Sequence, residues 1–179
     1  MQQTDILIIG GGIAGTATAC YLALSGQQVT LLEQSKLATE ASGLNAGTIW
    51  ATGWGHTPDL SSTLSMGSLE VFKTLQLGLG YDLEFRQGGS LQAIQTEEEY
   101  AFAQQEVREL LARGHQVELL DGRDARSIEP VLGPRILGCL YSPHGGNANP
   151  VKTILALAPL AQKHGATIPP GCRIRVPGS

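Results

Sequence analysis

Residues 5–33 read DILIIGGGIAGTATACYLALSGQQVTLLE. The stretch divides into strand, glycine turn, helix and strand. Ile6, Leu7, Ile8 and Ile9 form a short unbroken apolar run, the pattern of a strand buried on both faces in a parallel sheet. Gly10, Gly12 and Gly15 follow with the G-x-G-x-x-G spacing of a dinucleotide fingerprint. The first glycine permits the tight turn, the second lets backbone approach a pyrophosphate, and the third lets the helix lie close to the sheet. Ile13, Ala17, Tyr21 and Leu24 recur at helical spacing and predict an inward stripe. The first amides of such a helix have no partner within it and carry partial positive charge, which suits a diphosphate. Gly26 is placed to end the helix. Residues 29–32 predict a second strand with Glu33 at its carboxyl end. An acid there bonds ribose hydroxyls and repels a 2′-phosphate. The glycines alone are a weak signal; the full strand-turn-helix-strand-acid constellation is a strong one, and it does not separate FAD from NAD.

Bulk properties narrow the class. The 179 residues allow one good core or little more. With 12 Lys+Arg against 16 Asp+Glu, the formal net charge of −4 argues against nucleic acid as a partner. Hydrophobic content of 42% with 16% charged residues fits a globular protein rather than a disordered one. No apolar run reaches a membrane span. The first apolar run belongs to the sheet rather than to a signal segment. Cys20, Cys139 and Cys172 are far apart and lack metal-ligand spacing, so a reducing, cytoplasmic setting and no metal site are expected.

Beyond Glu33, residues 34–60 show no sustained period and are rich in small residues, with Trp50 and Trp54 among them. Structureless stretches of this length in a compact domain are functional or disordered. The apolar residues favour an ordered loop shaped around a ligand, with a helical turn near residues 40–44. Residues 61–77 predict a helix with Leu64, Val71, Phe72 and Leu75 on one side. Residues 81–86 and 90–95 alternate at period two around Gly88-Gly89, as in an antiparallel hairpin. Thr96-Glu97-Glu98-Glu99 is a capping box opening a helix that Gly114 ends. Strands are expected at residues 117–120 and 136–141, with Asp121 capping a short helix between them. Asn149 and Pro150 suit the N-cap and first position of a helix to about His164. Residues 166–168 and 173–176 read as a last strand pair. His144 lies among glycines in a loop, where a solvated histidine is the expectation rather than a catalytic one.

Ala41-Ser42-Gly43-Leu44-Asn45-Ala46-Gly47, placed after the glycine motif and its acid, resembles the second flavin-contacting segment of the D-amino-acid oxidase superfamily. That group includes glycine oxidase, the sarcosine oxidases and cyanide-forming glycine dehydrogenases. The resemblance continues through residues 81–86, Gly88-Gly89-Ser90-Leu91 and residues 138–150, so it covers nearly the whole chain. It implies an α/β fold: a Rossmann-like FAD-binding βαβ domain with part of an α+β substrate domain built on an antiparallel sheet. It implies residues 1–80 as the FAD-binding segment and flavin loop, 81–145 as a partial substrate domain, and 146–179 as a return to the FAD-binding domain. Gly10, Gly12, Ile13, Ala14, Gly15, Glu33, Gln34, Ala41, Ser42, Asn45, Ala46 and Gly47 become candidate FAD contacts. Ile174 becomes the candidate adenine contact, with Ile where the family more often has Val.

The implied chemistry is oxidation of the CH–NH bond of an amino acid or N-methyl amino acid by hydride transfer to flavin N5. A 2-hydroxy acid or glycerol phosphate is the alternative substrate. A non-catalytic product, or a flavin-binding half that needs a partner chain, is the alternative of another class. The resembled enzymes are longer and supply the substrate-carboxylate arginine from their second half. The expectation is therefore an N-terminal half that lacks a catalytic acid or base of its own. Residues 34–47 contain neither Cys nor His, so that loop offers no side chain for covalent flavin attachment.

Overall fold

The computed structural model describes residues 4–50 and 58–172. The chain divides into two compact units. The first comprises residues 1–47, 74–85 and 148–179; the second comprises residues 48–73 and 86–147.

In the first unit, β1 (Ile6–Ile9) and β2 (Val29–Leu32) pair in parallel, with Ile6 opposite Val29 and Ile9 opposite Leu32. Helix α1 (Ile13–Leu24) crosses between them. The outer edge of β2 begins a third parallel pairing: the Leu31 amide donates to the Thr167 carbonyl at 2.9 Å and the Thr167 amide donates to Val29 at 2.8 Å. Helix α5 (Pro150–Lys163) packs against α1. Asn149 caps α5, accepting from the Lys152 amide, and Pro150 stands at its start. Both features match the sequence expectation.

Two expectations for this unit are corrected. The apolar run of β1 is half-buried on one face and exposed on the other. Residues opposite each other in a parallel pair share a face, so Ile6, Ile8, Val29 and Leu31 point one way and Leu7, Ile9, Thr30 and Leu32 the other. Ile8 lies under α1 against Gly15, and Val29 and Leu31 are buried. Leu7 and Ile9 are 52% and 72% exposed, because no described element covers that face. The second correction concerns α1. Its buried residues are Thr16, Ala19, Cys20 and Ala23, while Ile13, Tyr21 and Leu24 are exposed. The helix is apolar nearly all round, so periodicity did not define one inward face. The small residues turn inward because they let a neighbouring helix come close.

In the second unit, β4 (Ser90–Ile94), β6 (Gly138–Ser142) and β5 (Glu118–Asp121) form an antiparallel sheet with β6 in the centre. Helix α3 (Glu97–Ala112) lies on one face, where Val107 and Leu110 pack with Val117 and Leu140. Helix α4 (Gly122–Ile128) lies on the other, where Ala125 packs with Leu120, Ile136 and Cys139. Thr96 forms the capping box with Glu99, Gly114 follows α3 with φ +83°, and Asp121 caps α4. A two-residue pairing joins β3 (Thr48–Ile49) to β7 (Gly146–Asn147). It places a strand inside a stretch that lacked any period. Helix α2 (Pro58–Lys73) begins three residues earlier than expected and runs into a π-helical turn, Thr74–Gly78. Leu69 is buried in α2 and Leu64 is exposed; Leu75 is buried in the π-helical turn, which belongs to the first unit.

The expected hairpin around Gly88-Gly89 does not form. β4 takes β6 as its partner. Residues 81–85 alternate in burial, with Leu83 and Phe85 inside, but a side chain replaces the strand. The Phe85 amide donates to Gln76 Oε1 at 2.8 Å, and Gln76 Nε2 donates to the Phe85 carbonyl at 3.0 Å. Glu84 has φ +53°, outside strand geometry. Of the expected last strand pair, Thr167 makes a single bridge and residues 173–176 lie outside the described residues.

A candidate dinucleotide cradle at the first helix

The turn between β1 and α1 is built for close approach. Gly10 has φ +107°. A Cβ at Gly15 would run into the Gly10 carbonyl, so only glycine lets α1 start this close to the strand it follows. A Cβ at Gly12 would stand 2.8 Å from Ser42 Oγ. Ser42 therefore lies beside the turn, and any side chain at residue 12 would fill the space between them. Gly12 is the N-cap of α1 with extended backbone, and no side chain caps the helix. Its first-turn amides are left to a ligand or to water.

Glu33 closes the near side. Its Oε2 accepts the Gly11 amide at 2.7 Å, and its Oε1 accepts the Ser35 amide at 2.8 Å and the Ser35 hydroxyl at 3.1 Å. These bonds hold the carboxylate below the usual glutamate range, the Ser35 amide contributing most and the Gly11 amide next. The acid is thus an anion fixed at the edge of the glycine turn, where it presents acceptor lone pairs and no proton.

Residues 41–47 form the other side. The Gly43 amide donates to Glu40 and the Leu44 amide to Ala41, giving the helical turn expected there. Asn45 braces it: Nδ2 donates to the Ser42 carbonyl at 2.8 Å, and Oδ1 accepts the Gly47 amide at 2.8 Å. Ala14, Gln34, Ala41, Asn45 and Ala46 are exposed, and Ser42 and Gly47 half-buried. Gly10, Gly12, Gly15, Glu33 and Ser42 come together at the turn. Ile13 and Ala14 line the helix start, and Ile174 lies outside the described residues.

Three participants escaped the sequence reading. Gly11, between the fingerprint glycines, supplies the amide that holds Glu33, and a Cβ there would have to displace the end of the Leu37 side chain. Ser35 supplies two donors to the same carboxylate. Ala38, with φ +63°, donates its amide to the Gly11 carbonyl at 3.3 Å. The run of three glycines was the available signal for the first; the others depend on tertiary contact.

His144 is half-buried, and its Nε2 lies 3.0 Å from Gln116 Oε1 in an exposed pairing within the second unit. Also in that unit, a groove of about 360 Å³ between β4 and α3 is lined by Gln92, Ile94, Phe102 and Glu106 and holds no fingerprint residue. Among the described residues no group of His, Cys, Asp or Glu could hold a metal ion, and no helix is long and apolar enough to cross a membrane.

Residues 5–176 match the model of the DAO family, FAD dependent oxidoreductase. The chain belongs to this family of FAD-dependent oxidoreductases. It is 30% identical over 175 residues to an opine oxidase subunit from Rhizobium meliloti, covering 93% of this chain and 47% of that protein. It is 29% identical over 168 residues to an anaerobic glycerol-3-phosphate dehydrogenase subunit from Escherichia coli, covering 93% and 30% respectively. The crystal structure of glycine oxidase from Geobacillus kaustophilus superposes with a TM-score of 0.85 at 25% identity, covering 96% of this chain and 47% of that one. The chain thus spans about half, or less, of the length of these relatives. The α/β fold, with a FAD-binding βαβ unit and part of an antiparallel-sheet domain, agrees with the expectation, as does the family itself.

Proposed function

We propose that this chain supplies the FAD-binding half of an oxidoreductase that oxidises the CH–NH bond of an amino acid or an N-substituted amino acid. The observation that carries the reading is the uncapped start of α1, with Glu33 fixed against Gly11 beside it. The lack of a side chain at Gly12, where a Cβ would crowd Ser42 Oγ, suits a diphosphate approaching the backbone amides. On this reading Gly10, Gly12, Ile13, Ala14 and Gly15 hold the pyrophosphate. Glu33 and Gln34 take the adenosine ribose. Ala41, Ser42, Asn45, Ala46 and Gly47 lie along the pyrophosphate and the ring, and Ile174 holds the adenine. The first unit is the FAD-binding domain and the second is part of the substrate domain.

A bound flavin supplies a two-electron acceptor that takes a hydride at N5. This chain's residues bind and orient it. The first-turn amides offset the diphosphate charge, and the Glu33 carboxylate accepts from ribose hydroxyls and disfavours a 2′-phosphate. Similarity to relatives named as glycine oxidase and opine oxidase supports the amino-acid substrate. A second reading, glycerol phosphate or a 2-hydroxy acid, is supported by the comparable identity to the glycerol-3-phosphate dehydrogenase relative. The opine oxidase and glycerol-3-phosphate dehydrogenase relatives are both named as subunits, which supports a further polypeptide as partner. The free thiols fit a reducing cytoplasm.

Titration of FAD with the purified chain, followed by flavin fluorescence, tests the binding reading. Saturable quenching at one flavin per chain is expected, and its loss in Gly12→Val. Equal quenching by both proteins would overturn the reading. Turnover of glycine, sarcosine and glycerol phosphate by the whole protein with an artificial electron acceptor separates the substrate readings.

A further inference from the structure

We propose that Asn149, Glu84 and Lys152 are positioning residues for the flavin, holding residues 42–47 against the glycine turn through Ala148 and Gly47. The proposal rests on the FAD reading above. All of these groups belong to the first unit.

Glu84 adopts a left-handed backbone conformation that an L residue holds only when its surroundings fix it. Its side chain shows what does so. Oε1 lies 2.8 Å from Lys152 Nζ, and Oε2 accepts Asn149 Nδ2 at 3.0 Å. Lys152 Nζ also reaches Asp82 Oδ2 at 2.5 Å, and Asp82 Oδ1 accepts the Glu84 amide at 3.2 Å. Asn149 satisfies three partners at once: its amide donates to the Leu83 carbonyl at 2.8 Å, Oδ1 accepts the Lys152 amide at 3.1 Å, and Nδ2 holds Glu84. Exposed ion pairs are weak singly. Here they converge on one strained residue and one helix cap.

The connection to the cradle is a run of hydrogen bonds. The residue before Asn149, Ala148, donates its amide to the Gly47 carbonyl at 3.0 Å. Its own carbonyl occupies the place a Cβ of residue 47 would need, and Gly47 has φ +70°. Gly47 is bonded to Asn45, Asn45 to the Ser42 carbonyl, and Ser42 Oγ faces Gly12. A shift of Ala148 therefore moves the loop that flanks the diphosphate position. A helix cap with no role beyond α5 would need only the Asn149 acceptor. The donor to Glu84 and the paired lysine are explained by a need to fix where α5 begins.

Asn149→Asp separates the two roles. It keeps the acceptor for the Lys152 amide, removes the donor to Glu84 and sets a like charge beside it. In that variant, amide hydrogen exchange within residues 42–48 is expected to rise about fivefold and the FAD Kd to rise by a similar factor. Lys152→Met is expected to raise both about threefold, with Lys152→Arg within about twofold of the unaltered chain. Asn149→Asp with exchange and Kd both unchanged overturns the proposal. Faster exchange with unchanged Kd also overturns it, leaving a cap that serves the fold alone. If the unaltered chain does not quench flavin, the FAD reading fails and this role fails with it. That outcome is told apart because it precedes any substitution.

Discussion

The two sheets treat similar strand chemistry in opposite ways. β6 lies between two strands and under helices on both faces, and four of its five residues are buried. β1 carries the more apolar sequence, yet one of its faces is open and its outer edge has no strand among the described residues. The difference teaches that an apolar run encodes a demand for cover, which elements far along a chain must meet. Helices α3 and α4 both come shortly before β6 in the chain and meet it locally. α1 meets half of it for β1, and α5 packs on α1 in turn.

Substitutions turn this contrast into measurements. Gly15→Val has the largest expected effect, because its side chain would overlap the Gly10 carbonyl and force α1 off β1. We expect a loss of about 3 kcal/mol or more, read as a lower urea midpoint. Leu140→Ala, in the core under α3, is expected to cost about 2–5 kcal/mol. Its counterpart on the open sheet face, Ile9→Ser, is expected to stay within about 0.5 kcal/mol. A large cost at Ile9 would mean that the face is covered in solution and would erase the contrast. Thr96→Ala removes the capping box of α3 and is expected to cost about 1 kcal/mol.

Where the sequence was legible, the cause was local. The glycine turn, the caps at Thr96, Asp121 and Asn149, and the end of α3 before Gly114 follow from residues within a few positions of one another. The candidate cradle was legible because its fingerprint and acid belong to one βαβ unit. What was illegible depended on distant partners. Residues 81–85 kept a strand's alternation but found Gln76 instead of a strand. The inward face of α1 was chosen by α5, which begins well over a hundred residues later, as in any fold where tertiary packing overrides local preference. β3 consists of two residues and pairs with two others across the sequence, too short to leave a period. Within the cradle, Ser35 and Gly11 became visible only when the Glu33 carboxylate was seen between them.

The smallest expected effect sharpens that last point. The Glu33 carboxyl is held below its usual range, chiefly by the Ser35 amide and then by that of Gly11. A group whose folded value is depressed stabilises the fold at pH above its unfolded value, and the contribution is lost as pH falls through the folded one. The folded chain should therefore lose a small increment of stability between the ordinary glutamate range and the lower value set by those amides. Glu33→Gln retains the shape and an acceptor oxygen but has no charge to lose. The stability difference between the two proteins should be constant at neutral pH and shrink only on the acid side. If it instead stays flat down to about pH 3, below the ordinary glutamate range, the two amides do not hold a carboxylate in solution. The first unit would then lack the fixed anion at its glycine turn, while the capped, doubly covered second unit would stand unchanged.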